Sequence, residues 1–127
     1  GFIQKGVSEH KMLSLEEAVH LITDRVARYF GFKDRGRIAT GYNADIVIFD
    51  EKQIGRAPSY LRYDVPGGAY RVYCEATGVP HVFVNGVQIV KNGEHTGAMP
   101  GTVLRSGKDT YTVAMTALRE TTKAAAE

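Results

Sequence analysis

The spacing of the apolar residues changes once along this chain, at Gly36, and that change limits the fold more than any other feature. Before it, Leu15, Ala18, Val19, Ile22 and Val26 recur at the three- and four-residue intervals of a single helix face. After it, apolar residues run nearly unbroken in ADIVIFD, residues 44–50, and in HVFV and VQIVK, residues 81–84 and 87–91. Helices followed by strands predict an α+β fold: N-terminal helices, then a small antiparallel or mixed β-sheet.

Local signals place the elements. Ser14 stands three residues before Glu17, the spacing of a capping box, in which the hydroxyl and the carboxylate satisfy each other's free backbone N–H groups. A helix is therefore expected from Leu15. Thr23 and Asp24 are expected to cap a second helix over 25–30, which Gly31 ends. Residues 1–8 read as the end of an earlier helix, and 8–13 as a linker. Beyond Gly36, residues 37–40 read as a short strand, 41–43 as a turn, and 44–50 as a strong strand covered on both faces. Residues 51–69 hold two prolines and Gly67–Gly68 and read as loop with one helical turn. Residues 70–76 fit a strand or a helix, and periodicity does not decide between them. The runs 81–84 and 87–91 are joined by Asn85–Gly86, the pair best suited to the positive φ angles of a type I′ turn, so a hairpin is expected. Lys91-Asn92-Gly93 breaks its second strand, 96–101 is turn-rich, 111–113 reads as a last strand, and 114–127 as a helical or disordered tail.

Composition removes several classes of function. With 127 residues the chain suits one small domain. Its 16 basic and 14 acidic residues are interspersed, leaving no basic stripe for nucleic acid and no polybasic membrane anchor. No apolar run approaches the ~18 residues of a membrane span, and the stretch GFIQKG is too short for a signal peptide. A cytoplasmic location is expected. The opening residue is Gly, not Met, which reads as a piece of a longer polypeptide.

The chemistry-bearing residues are sparse. A zinc ion needs three or four converging donors, and no two of His10, His20, His81 and His95 are neighbours in sequence. His81 and Cys74 make at most a pair. His20 borders the helix stripe and reads as a boundary or surface residue, while His10 and His95 lie in turn-like, solvated stretches. Cys74, amid Ala and Tyr, reads as a packed thiol. There is no GxSxG elbow, Ser106-Gly107-Lys108 lacks the helix a Ser/Lys pair requires, and no phosphate-binding glycine loop is present. Glu16 and Glu17 diverge by ~100° on a helix and do not face each other. Tyr60, Tyr63, Tyr70 and Tyr73 form a cluster suited to core or interface packing. Asp34 beside Arg35 and Arg37 suggests exposed ion pairs, and Asp45 can accept turn N–H groups.

Three stretches, taken in order, resemble a known family. SLEEAVHLITDRVARYFGFKDRGRIATGYNADIVIFD (14–50) is similar to the segment that joins the last barrel helix to the C-terminal β-domain in amidohydrolases. HVFVNGVQIVKNGEHTGAMPGTVLR (81–105) resembles the closing strands of D-aminoacylases and N-acyl-D-amino-acid deacylases, and LRYDVPGGAYRVY (61–73) a variant within that family. The resemblance implies a barrel of the TIM type whose metal, held by His pairs and carboxylates, activates water and polarises an acyl carbonyl. Such a barrel takes ~250 residues, and the family's HxH element and late barrel Asp have no counterpart here. The resemblance therefore implies a helical segment over 1–35 from the end of the barrel, a β-rich C-terminal domain over 36–113 contributing to a composite β-sandwich, and a tail over 114–127. No catalytic, cofactor-binding or metal residue is assigned, and zinc is expected only in the full-length parent. The expected partner is the parent's catalytic barrel or a second copy of the chain. The alternative is a stand-alone interaction or ligand-binding protein that self-associates through its exposed sheet; an independent small hydrolase lacks the ligands it would need.

Overall fold

The computed structural model describes residues 1–112. A wide, π-type helical turn spans Gln4–Glu9, one residue past the helix end expected at residue 8. Helix α1, Leu15–Ile22, starts at the predicted capping box: Ser14 Oγ accepts from Glu17 N at 3.1 Å, and Ser14 N donates to the Glu17 carboxylate at 3.0 Å. Helix α2, Asp24–Phe30, follows at once and ends at Gly31, whose φ is 69°. Its start differs from the expectation. Thr23 does not cap α2 with its side chain; its hydroxyl donates back to Val19 O at 2.7 Å, because α1 still offers a free carbonyl there.

The rest is antiparallel β-structure in three small sheets. The largest runs β1–β6–β7–β8, built from β1 (Ile46–Ile48), β6 (His81–Val84), β7 (Val87–Lys91) and β8 (Glu94–His95). β2 (Gly55–Arg56) pairs with β5 (Ala76–Thr77), and β3 (Tyr60–Val65) with β4 (Ala69–Tyr73). Asn85 and Gly86 have φ of 48° and 78°, the left-handed pair that the predicted β6–β7 turn requires. Asn92 and Gly93 repeat the device and add β8, so the break after Lys91 is a second hairpin turn.

Further expectations are corrected. Residues 37–40 form no strand: Arg37 instead donates to the Tyr42 hydroxyl at 2.8 Å and closes the segment into a loop, with no neighbouring strand to pair it. The strand expected over 44–50 shortens to Ile46–Ile48, because the Asp45 and Asp50 carboxylates are both taken up by turn N–H groups. That strand is not covered on both faces. It lies at the sheet edge, and Val47 and Ile48 are exposed. The loop expected over 51–69 contains β2 and β3, with the helical turn at Pro66–Gly68 serving as the tip of the β3–β4 ribbon. Residues 70–76, left open between strand and helix, are strand as far as Tyr73 and again at Ala76, where β5 begins. Tyr111 and Thr112 are not strand; only Thr110 bridges, to Phe32. Val113 and the expected tail lie outside the described residues.

The described residues bury little of their own apolar surface. Among the described residues, the buried hydrophobic side chains are Ile3, Ala18 and Ala27. Ile22 and Val26, on the predicted helix stripe, are exposed. Ala27 sits where α2 meets the loop at Gly36, so close that a Cβ on Gly36 would lie 2.4 Å from its own. No helix of the described residues is long and apolar enough to cross a membrane.

Candidate functional site

The four histidines are dispersed over the fold. His10 ends the first helical turn and is exposed. His20 lies in the last turn of α1 with Nδ1 3.8 Å from Asp24, whose carboxylate also accepts from Arg28 Nε at 2.7 Å. His81 and His95 share the large sheet, but register separates them. His81 pairs with Lys91, and His95 with Val90. Lys91 and Val90 are consecutive on β7, so the two imidazoles point to opposite faces, two strand spacings apart. His81 is half-buried, and its Nδ1 is met by Gln88 Nε2 at 3.1 Å and Asn92 N at 3.5 Å. Cys74 is a free, half-buried thiol just past β4, not the fully packed thiol expected.

Zinc is the metal that the resemblance implies, and it needs at least three such donors at about 2.0–2.3 Å. Among the described residues no three His, Cys, Asp or Glu side chains come together in that way. The described residues do not fit the ion.

Two other groupings stand out. In the first, Arg35 reaches across the fold to the β6–β7 turn. Its Nη1 donates to the Asp45 carboxylate, and its Nη2 donates to Asn85 Oδ1 at 2.9 Å. The other Asp45 oxygen accepts from Asn85 N at 2.9 Å, and Asn85 Nδ2 donates to Pro100 O at 2.8 Å. Three chain segments are thereby held at one end of the sheet. The expected Asp34 ion pairs do not form among the described residues; instead Asp34 offers its carbonyl to Asn43 N at 2.9 Å, while Arg37 lies over the Tyr42 ring. Its hydrogen bond to the Tyr42 hydroxyl holds the Arg37 guanidinium above its ordinary pKa. Asp45 meets a turn N–H as its sequence position suggests, although the turn is 40 residues away.

The second grouping is the β3–β4 ribbon, which collects the four tyrosines. Tyr60 packs edge-on against Tyr73 with ring centres 5.8 Å apart, and Tyr63 lies 5.5 Å from Tyr70. Arg62 and Arg71 stand directly opposite each other, an unfavourable like-charge pair. Asp64 resolves it: Arg71 donates twice to its carboxylate, each at 2.7 Å, and Arg62 Nε lies 2.7 Å from it. Hydrogen bonding from Arg71 holds the Asp64 carboxyl below its ordinary range. Both guanidinium groups also stand over the Tyr73 ring, at 4.8 and 4.9 Å. The Tyr60 hydroxyl donates to Glu75 at 3.0 Å, and that bond raises the phenol above its usual pKa. Two signals in the sequence mark this ribbon: the alternation of Leu61, Tyr63 and Val65 with Arg62 and Asp64, and the turn PGG that follows it.

Comparison with known proteins places these features in context. The profile of the Amidohydrolase family matches residues 2–90. N-acyl-D-aspartate deacylase from Alcaligenes xylosoxydans xylosoxydans is 37% identical over 102 residues, covering 80% of this chain and 18% of the relative. N-acyl-D-glutamate deacylase from the same organism is 36% identical over 99 residues, covering 78% and 18%. D-aminoacylase from that organism is 31% identical over 93 residues, covering 73% and 17%. The chain thus spans less than a fifth of the length of these relatives. No solved structure matches it.

Proposed function

This chain belongs to the amidohydrolase family, and on that premise we propose that it is a non-catalytic C-terminal module of a hydrolase resembling the N-acyl-D-amino-acid deacylases. The observation that carries the reading is the uncovered apolar surface. Ile22 and Val26 of the α1–α2 stripe, both faces of β1 and its free edge offer contacts that the described residues do not satisfy, and a continuous partner would. The catalytic barrel of a longer protein is the partner proposed, with residues 1–35 leaving the barrel and 36–113 completing a composite sandwich. The parent reaction would be metal-dependent hydrolysis of an N-acyl amide bond. No step of it is assigned to a residue here, because the histidines and Cys74 do not fit a zinc ion.

A purified sample of the chain is expected to hold no stoichiometric zinc and to leave N-acetyl-D-aspartate and N-acetyl-D-glutamate intact. Turnover above a metal-chelated control, or one equivalent of zinc per chain by elemental analysis, would overturn the reading. A second reading, a stand-alone interaction protein that self-associates through its exposed sheet, is favoured by one observation: the apolar edge strand β1 is unpaired on its outer side among the described residues.

A further inference from the structure

We propose that one face of the β3–β4 ribbon, formed by Leu61, Tyr63, Tyr70 and Val72, is a dimerisation surface that receives the same face of a second copy of this chain. The proposal goes beyond both readings above and does not depend on whether the chain is catalytic.

The strand register sorts the ribbon's side chains. Tyr63 and Tyr70 touch, so they share a face, and Leu61 and Val72, paired with each other two residues further along each strand, lie on that same face. Tyr60, Arg62, Arg71 and Tyr73 lie on the other, with Asp64 bonded to both arginines. The charges are thus gathered and neutralised on one side, and the opposite side is apolar and uncharged. Nothing on it repels an identical surface, which is the condition an isologous contact must meet. If two ribbons stack antiparallel, the Tyr63–Tyr70 pair of each covers the smaller Leu61–Val72 pair of the other.

The area is of the right size. Tyr63 and Tyr70 are 70% and 60% exposed, Leu61 and Val72 49% and 71%. At roughly 200 Å² for a Tyr and roughly 150 Å² for an aliphatic side chain, this face offers about 450 Å² per copy. Two copies together bury at most about 900 Å², the size of a weak, transient interface. Among the described residues the ribbon makes only marginal contact with the other helices and strands. Isolated two-stranded ribbons are marginal in water, so a facing copy supplies support that the fold itself withholds.

Analytical ultracentrifugation of the chain between about 1 and about 100 µM tests the idea, that range spanning the affinities of small interfaces. A concentration-dependent dimer is expected, and Tyr63→Ser combined with Val72→Thr should weaken it at least tenfold. Val47→Lys, on the β1 edge, should leave it intact. A monomer at every concentration overturns the proposal, as does a dimer that survives the ribbon substitutions or disappears with Val47→Lys. Should the double variant fail to fold, hydrogen exchange on the unmodified chain decides: amides within 60–73 are expected to gain protection as concentration rises, and unchanged protection overturns the assignment. Zinc content and turnover report separately on the proposed function, so either idea can fail alone.

Discussion

Replacing Asp45 with Ala removes the centre of the clamp at the end of the large sheet. Its carboxylate accepts from both Arg35 Nη1 and Asn85 N. Hydrogen bonds to a charged acceptor contribute about 1.5–3 kcal/mol each when buried. Here the Asp45 side chain is 33% exposed and that of Arg35 16%, so water replaces part of the loss. Arg35 also keeps its bond to Asn85 Oδ1. The net cost is therefore about 2 kcal/mol, which for a chain of this size lowers Tm by about 8 °C. Asp45→Asn retains an oxygen for Asn85 N but not the ion pair, and should cost about 1 kcal/mol. The control is Asp34→Asn, next to the same arginines and able to keep the left-handed backbone at φ 52°. Its side chain makes no ion pair or hydrogen bond among the described residues, and its effect should stay within about 0.5 kcal/mol. Urea unfolding followed by circular dichroism measures all three. If Asp45→Ala shifts stability no more than Asp34→Asn does, the clamp does not hold the sheet end as argued.

Two further predictions follow from local geometry. Gly36 and Gly41 share nearly the same backbone, φ 90° and 85°, but a Cβ at Gly36 would lie 2.4 Å from Ala27 Cβ, whereas at Gly41 it meets open space. Gly41→Ala should cost about 1 kcal/mol of backbone strain and Gly36→Ala about 3 kcal/mol or more, and equal Tm shifts would refute the α2–loop packing. For Asp64 the folded carboxyl lies below its ordinary range, so its contribution is complete above the unfolded value of about 3.9 and is lost as pH falls through the lower folded value. Tyr73 ring resonances, which sense the two arginines above them, should hold steady at pH 5 and shift only below about pH 4. A shift already complete at pH 6 would rule out Asp64 as the cause.

The candidate site was legible only in part. Dispersal of the histidines could be read from their spacing, and their final placement on separate helices and opposite sheet faces follows from register. The Arg35–Asp45–Asn85 clamp was half visible. Asp45 announces itself as an acceptor for turn N–H groups, but its partner lies 40 residues on, and Arg35 is drawn away from its neighbour Asp34 by a carboxylate that only the folded chain brings near. The β3–β4 ribbon escaped although Leu61, Tyr63 and Val65 alternate with Arg62 and Asp64, because the prolines and Gly67–Gly68 read as breakers of a loop, whereas Pro66–Gly68 is the turn that joins its two strands.

By itself, the amino-acid order determined whatever is settled within a few residues: the Ser14–Glu17 cap that starts α1, the stop at Gly31, and the Asn85–Gly86 turn that sets the β6–β7 hairpin. Those interactions close over one turn of chain and need no distant partner. Tertiary structure alone decided which strands find neighbours, leaving residues 37–40 as a loop, β1 at an edge with its faces open, and 60–73 as a free-standing ribbon. Pairing of that kind is non-local, and its outcome depends on what the rest of the polypeptide places alongside each strand.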